Sequence, residues 1–159
     1  MSLQIKLIYA TCITSSGRGV VLRGPSGSGK SDLALRCIFL NIQNVNYKLI
    51  SDDQVRLERD GDLLKASAPS SIFGKIEVRG LGILDIDAEL SANIELVVDL
   101  VAAEKVPRLP DPSFSKVELY GIKLPSIKLY PFENSAPLKM HLALETLKFR
   151  KYRGNFDLF

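Results

Sequence analysis

Apolar residues recur along this chain mostly in short runs of strand length, which predicts a strand-rich fold rather than a bundle of helices. The first run, Leu7 to Thr14, predicts one strand; Ser15, Ser16 and Gly17 follow as a turn, and Gly19 to Leu22 returns as the second strand of a hairpin. From Ser31 the spacing becomes helical, with Leu33, Ala34, Cys37, Ile38 and Asn41 on one stripe, and the pattern fades near Asn44. Tyr47 to Ile50 is a short strand that runs into Ser51, Asp52 and Asp53. Val55 to Arg59 and Leu63 to Ala66 flank an Asp60-Gly61 pair, which signals a hairpin turn. Strand-like runs continue at Lys75 to Val78, Ile83 to Ile86, Ile94 to Val101, Val117 to Tyr120 and Ile122 to Ile127. A second helix is expected only from Ala136 to Arg150, where Leu138, His141, Leu142, Glu145 and Phe149 fall at helical spacing. Pro69, Pro107, Pro110, Pro112, Pro125 and Pro131 read as loop punctuation, not domain boundaries. The pattern predicts one α/β domain over residues 1–159.

Composition narrows the class. With 159 residues the chain can bury a core of its own, and 46% apolar with 25% charged residues excludes disordered, collagen-like and low-complexity classes. Lys and Arg number 21 against 18 Asp and Glu, and a net charge of +3 is too mild to mark a nucleic-acid or membrane-surface protein. A phosphorylated ligand would account for it. No apolar stretch approaches the roughly 18 residues that span a bilayer, and Met1 to Lys6 lacks the layout of a signal peptide, so the expected location is cytoplasmic. Cys12 and Cys37, without a CxxC or Cys/His cluster, predict core positions and neither a disulfide nor a zinc site. His141 predicts a packing or surface residue. Lys148, Arg150, Lys151 and Arg153 suit a solvated helix end, where cations complement the dipole, or else a contact with an acidic partner or subunit.

One segment carries chemistry on its own. Gly24-Pro25-Ser26-Gly27-Ser28-Gly29-Lys30-Ser31 satisfies G-x-x-x-x-G-K-[ST] between an expected strand and an expected helix. Such a loop turns successive backbone N–H groups inward around a phosphate, the helix N-terminus adds partial positive charge, Lys30 reaches the β- and γ-phosphates, and Ser31 can ligate Mg²⁺. The bland alternative is an ordinary Gly-rich turn. A GTPase should add base-reading N-K-x-D and D-x-x-G motifs, and neither occurs. Hairpins following the first helix also point away from the mostly parallel sheet of common small-metabolite kinases.

Phosphoryl transfer further requires a metal anchor and a proton acceptor. Asp52 and Asp53 end a strand just after the helix; adjacent strand residues face opposite ways, so they should do different jobs unless the chain turns there. The run Lys75-Ile76-Glu77-Val78-Arg79-Gly80-Leu81-Gly82-Ile83-Leu84 places a lone carboxylate and arginine before Gly-x-Gly, which fits either an edge strand with a wet face or a site. With the loop before it and the Asp pair between, this E-[IV]-R-G-[LI]-G-[IL] pattern resembles the bacterial HPr kinase/phosphorylase family, from about Leu7 to Ile127. Longer members carry an additional N-terminal domain, so the chain looks like the short form, equivalent to the catalytic domain.

The resemblance implies a P-loop-containing α/β fold with a strand-rich mixed sheet core related to phosphoenolpyruvate carboxykinase, a C-terminal helix and commonly a hexameric assembly. It implies ATP- and Mg²⁺-dependent phosphorylation of a serine on HPr, the phosphocarrier of the sugar phosphotransferase system, with phosphorolysis as the reverse reaction. Carried over, Lys30 steadies the phosphates, Ser31 and Glu77 hold Mg²⁺, Asp53 accepts the proton in the kinase direction, and Asp52 supports the metal or its waters. Arg108, in Val106-Pro107-Arg108-Leu109, matches an arginine expected near the transferred phosphoryl group. Two departures bear on the reverse reaction. Tyr9 stands where the family has a catalytic histidine, and the family's P-V-R-P-G-R-N loop is represented by Pro125 to Pro131, with Asn134 following. A small-molecule kinase on the same scaffold and a nucleotide-sensing module without catalysis are the alternative functions.

Overall fold

The computed structural model describes residues 4–42, 44–109 and 115–153. Eleven strands are present among them: β1 (Ile5–Tyr9), β2 (Thr11–Ser15), β3 (Arg18–Arg23), β4 (Lys48–Ser51), β5 (Gln54–Asp60), β6 (Leu63–Ser67), β7 (Lys75–Val78), β8 (Gly82–Asp85), β9 (Ser91–Leu100), β10 (Ser115–Leu119) and β11 (Ile122–Leu129). Helix α1 (Lys30–Phe39) follows β3, and α2 (Ala136–Arg153) follows β11. Nine strands form one mixed sheet in the order β1-β5-β6-β9-β3-β2-β4, with β11 joining β9 and β10 pairing β11, while β7 and β8 make a separate hairpin. The expected strand-rich α/β architecture with a late helix is what forms.

Adjacent residues on the central strands go to opposite faces, and both faces are buried, which is why these runs read as continuously apolar. Ile13, Val20, Leu22, Leu49, Leu96 and Val98 face Leu33, Ala34 and Cys37 of α1 and Met140, Ala143 and Leu144 of α2. Cys12, Val21, Ile50 and Val97 face the other way, into a second core closed by Val55, Leu57, Leu64, Ala66, Leu119, Ile122 and Leu124. Strand β9 organises both cores. It pairs in parallel with β3, and it pairs with β6 antiparallel from Ser91 to Asn93 and with β11 in parallel from Val97 to Leu100. The sheet forks there.

Four details differ from the sequence reading. The single strand expected over Leu7 to Thr14 is two, because the chain changes partners at Ala10: β1 pairs with β5, whereas β2 pairs with β3 and β4. The first helix stops at Phe39 instead of fading near Asn44; Phe39 and Leu40 are exposed, so the next turn has no apolar face to bury, and Ile42 bridges Val45 in a tight turn. In the β5–β6 hairpin the turn residues are Gly61 and Asp62, since Asp60 itself pairs with Leu63. Pro125 lies within β11, not in a loop, one residue before β11 takes up β9 as a second partner, where a strand tolerates a missing N–H. Pro110 and Pro112 lie outside the described residues, as do the side chains of Lys148, Arg150, Lys151 and Arg153. No helix among the described residues is long and apolar enough to cross a membrane.

Candidate active site

Because β4, β9 and β11 run parallel to β3, the segments after all four strands emerge at one end of the sheet. The glycine loop, Asp52-Asp53, the segment that goes on to carry Arg108, and residues 130–135 all leave the sheet at that end. The stem of the glycine loop is fixed by Arg23, whose Nε and Nη2 donate to the two Asp99 carboxylate oxygens at 2.8 and 3.1 Å on the neighbouring strand. Gly27 and Gly29 hold φ of 80° and 96°, which lets the loop curl back, with Ser28 N–H donating to Pro25 O at 3.0 Å. Helix α1 starts on Gly29 with no side-chain cap hydrogen bond, so the N–H groups of its first turn are left for another partner. The Lys30 ammonium folds over the same loop, donating to the carbonyls of Gly24 at 2.7 Å and Pro25 at 3.1 Å. Ser28 Oγ is buried without a hydrogen-bond partner. A helix start without a side-chain cap, an ammonium folded over the loop and a hydroxyl with no hydrogen-bond partner are the kinds of group that bind an anion.

Beside the loop, Asp52 and Asp53 part ways. Asp52 is buried and accepts three hydrogen bonds: Thr11 Oγ1 at 2.9 Å and Ser31 Oγ at 2.7 Å on Oδ1, and the backbone N–H of Glu77 at 3.2 Å on Oδ2. One carboxylate thereby ties β2, the start of α1 and β7 to the end of β4. Asp53 is exposed, held at φ 70° in a sharp turn closed by Gln54 N–H donating to Asp52 O at 2.8 Å. The opposite-faces argument for a regular strand therefore gives way to a turn, with the same outcome of one buried and one accessible carboxylate. Ala10 N–H donates to Asp53 O at 3.1 Å, which sets Tyr9, 72% exposed at the end of β1, beside this turn. Glu77 is exposed on β7 while its neighbour Ile76 is anchored in the core under α1. Arg108 is exposed in the segment after β9.

The donor set can be tested against Mg²⁺. No three His, Cys, Asp or Glu side chains cluster as a metal cage among the described residues. Mg²⁺ in phosphate-bearing sites needs only one or two carboxylates, with phosphate oxygens and waters completing its shell. A serine hydroxyl oriented by a buried carboxylate, with an exposed glutamate on the strand held to that carboxylate, is an all-oxygen set that fits.

Three contributors were not singled out by the sequence reading. Thr11 helps to satisfy Asp52. Arg36, outside the glycine-loop motif, donates to the carbonyls of Pro131 and Glu133 and pairs with Asp32 at 3.0 Å, clasping residues 130–135 to α1. Phe132 packs against Gly29. The i, i+4 spacing of Asp32 and Arg36 was visible, but its reach to Pro131 depends on the fold. The remaining candidates behave as packing residues. His141 is buried, its Nδ1 2.8 Å from Tyr47 Oη. Burial pushes both the Cys12 and Cys37 thiols up to about 12.

Residues 3–136 match the family described as HPr Serine kinase C-terminal domain. A curated relative named HPr kinase/phosphorylase, from Chloroherpeton thalassium, is 30% identical over 156 residues, covering 87% of this chain and 43% of that protein. Another of the same name, from Caldanaerobacter subterraneus subsp. tengcongensis, is 37% identical over 101 residues, covering 58% of this chain and 32% of that protein. The chain thus spans less than half the length of these relatives. The solved structure of the Hpr(Ser) kinase/phosphatase from Coxiella burnetii aligns with a TM-score of 0.78 over 92% of this chain and 99% of that one at 24% identity, which shows a common fold. With a match extending from before β1 to the start of α2, the chain belongs to the HPr Serine kinase C-terminal domain family.

Proposed function

We propose that this chain is the catalytic domain of an ATP- and Mg²⁺-dependent kinase that phosphorylates a serine on an HPr-type phosphocarrier protein, on a P-loop scaffold related to phosphoenolpyruvate carboxykinase. The observation that carries the reading is the join between Ser31 and Asp52: the hydroxyl that follows the loop lysine is oriented by a buried carboxylate whose neighbour, Asp53, faces solvent. In this reading Gly24 to Ser31 binds the phosphates, with Lys30 compensating charge on the β- and γ-phosphates. Ser31 and Glu77 would hold Mg²⁺, which supplies further charge neutralisation when bound. Asp52 keeps the Ser31 hydrogen turned away from the metal position, the usual service of a carboxylate behind a ligand. Asp53 accepts the proton from the attacking serine hydroxyl, and Arg108 stabilises charge spread over the moving phosphoryl group.

Tyr9 sits beside Asp53, where an imidazole could trade a proton or carry charge next to inorganic phosphate; a phenol there only hydrogen-bonds. The forward direction is therefore the stronger one, and phosphorolysis is weak. The cytoplasm is the proposed location, and a homo-oligomer, a hexamer by family resemblance, is the proposed assembly. The test incubates the protein with γ-labelled ATP, Mg²⁺ and HPr-type proteins, and locates the label. Transfer to a serine of HPr, lost in Lys30→Ala, is the expected result, with little pyrophosphate released from phosphoserine-HPr and phosphate unless Tyr9→His is introduced. Label on a metabolite would favour the small-molecule kinase, and ATP binding without any transfer would favour a sensing module.

A further inference from the structure

Phe132 is 58% exposed, yet it is not a loose surface residue. A methyl group on Gly29 would lie 3.1 Å from Phe132 Cε1, 3.2 Å from Cζ and 3.2 Å from Pro131 Cγ, so the last glycine of the loop is the recess into which this ring fits. Tyr130 braces the ring from behind in an edge-to-face contact with centroids 5.7 Å apart. Arg36 occupies the carbonyls of Pro131 and Glu133, and Lys139 binds the Glu133 carboxylate, so the segment is tied to both helices at its base. A partly exposed aromatic ring is thus held in place beside the glycine loop.

Its side of the loop decides which use. The carboxylates Asp52 and Asp53 follow β4, beyond β2 on one flank of β3; Phe132 follows β11, beyond β9 on the other flank. A nucleotide that lies along the loop with its terminal phosphate toward the carboxylates has its base on the side of β9 and β11. We infer that Phe132 is the stacking platform for the purine base of the nucleotide. The inference rests on the proposed ATP binding and adds to it the group that recognises the base.

Stacking of a base on an aromatic side chain changes affinity by roughly ten- to a hundredfold. The experiment is titration calorimetry of the full chain with Mg²⁺ and either ATP or inorganic triphosphate, which shares the phosphates and lacks the base. Expected are tighter binding of ATP than of triphosphate, loss of that difference in Phe132→Ala and in Phe132→Leu, which keeps apolar bulk against Gly29, and its retention in Phe132→Trp. Triphosphate affinity should be the same in all four proteins. Equal affinity of the unmodified protein for ATP and triphosphate would overturn the platform while leaving the phosphate loop standing. Parallel loss of both ligands in the variants would make Phe132 a prop of the loop, and unchanged ATP binding in Phe132→Ala would place the base elsewhere. Binding of neither ligand by the unmodified protein would overturn the functional reading itself and the platform with it.

Discussion

Asp52 and Asp53 are neighbours with opposite surroundings, and the two should respond differently to the same chemical change. In Asp52→Asn the side chain can keep an acceptor oxygen for the Glu77 N–H only by turning its NH₂ toward the Thr11 and Ser31 hydroxyls, which must then accept where they now donate. That mismatch should cost about 1–3 kcal/mol of stability, read as a lower melting temperature. Asp53→Asn should melt like the parent, because the residue is exposed at φ 70° and asparagine enters the left-handed region readily. Phosphoryl transfer in Asp53→Asn should nonetheless fall by roughly 10²- to 10⁴-fold with nucleotide binding retained. Failure of transfer in Asp52→Asn alone would move the proton acceptor to the buried member of the pair. The pair itself was legible in the chain because two acids end a strand shortly after the loop. Its division of labour was not, since Thr11, 41 positions away, comes to Asp52 only through the pairing of β2 with β4.

Helix α1 illustrates the same limit among elements. Its apolar stripe was legible, and Leu33, Ala34 and Cys37 are the buried residues; its end was not, because it is set by where the core stops. Its polar side also does more than face water. Arg36 reaches across to residues 130–135 while paired with Asp32, and an exposed i, i+4 pair by itself is worth only about 0.3–0.5 kcal/mol. The contact that matters joins α1 to the entrance of α2. In Arg36→Ala, hydrogen exchange at the backbone amides of residues 132–136 should accelerate, while those of β3, paired on both sides, should keep their protection. Equal exchange in both proteins would show that packing of Phe132 on Gly29 holds the segment without the guanidinium.

At the scale of the molecule, the central strands have two dry faces, with one cysteine buried on each side. Both thiols are pushed up to about 12 by burial, against 9.0 for an unburied thiol. Below pH 9 they are neutral whether the chain is folded or not, and stability is unaffected; between pH 9 and about 12 the unfolded chain loses protons that the folded chain keeps, so stability falls as pH rises. Each thiol contributes a slope of roughly 1.4 kcal/mol per pH unit once the unfolded form ionises. Melting followed between pH 8 and 11 should show the decline, and Cys37→Ala should make it shallower; the same slope in both would assign it to other groups. Strand identity was legible from runs such as Gly19 to Leu22, but not the order of the strands, because a run buried on both faces carries no mark of its neighbours.

The fork at β9 has a consequence for how the chain is made. Synthesis proceeds from the N-terminus at about 5–20 residues per second, so β3 exists for several seconds before Ser91 to Leu100 is available to cover its edge. During that interval Val20, Val21 and Leu22 form an apolar strand with one bare side, the kind of edge that recruits other chains. The nascent protein is thus most exposed to aggregation before its ninth strand emerges, and substitutions that slow or weaken β9 should lower the yield of folded protein even where the finished fold would tolerate them.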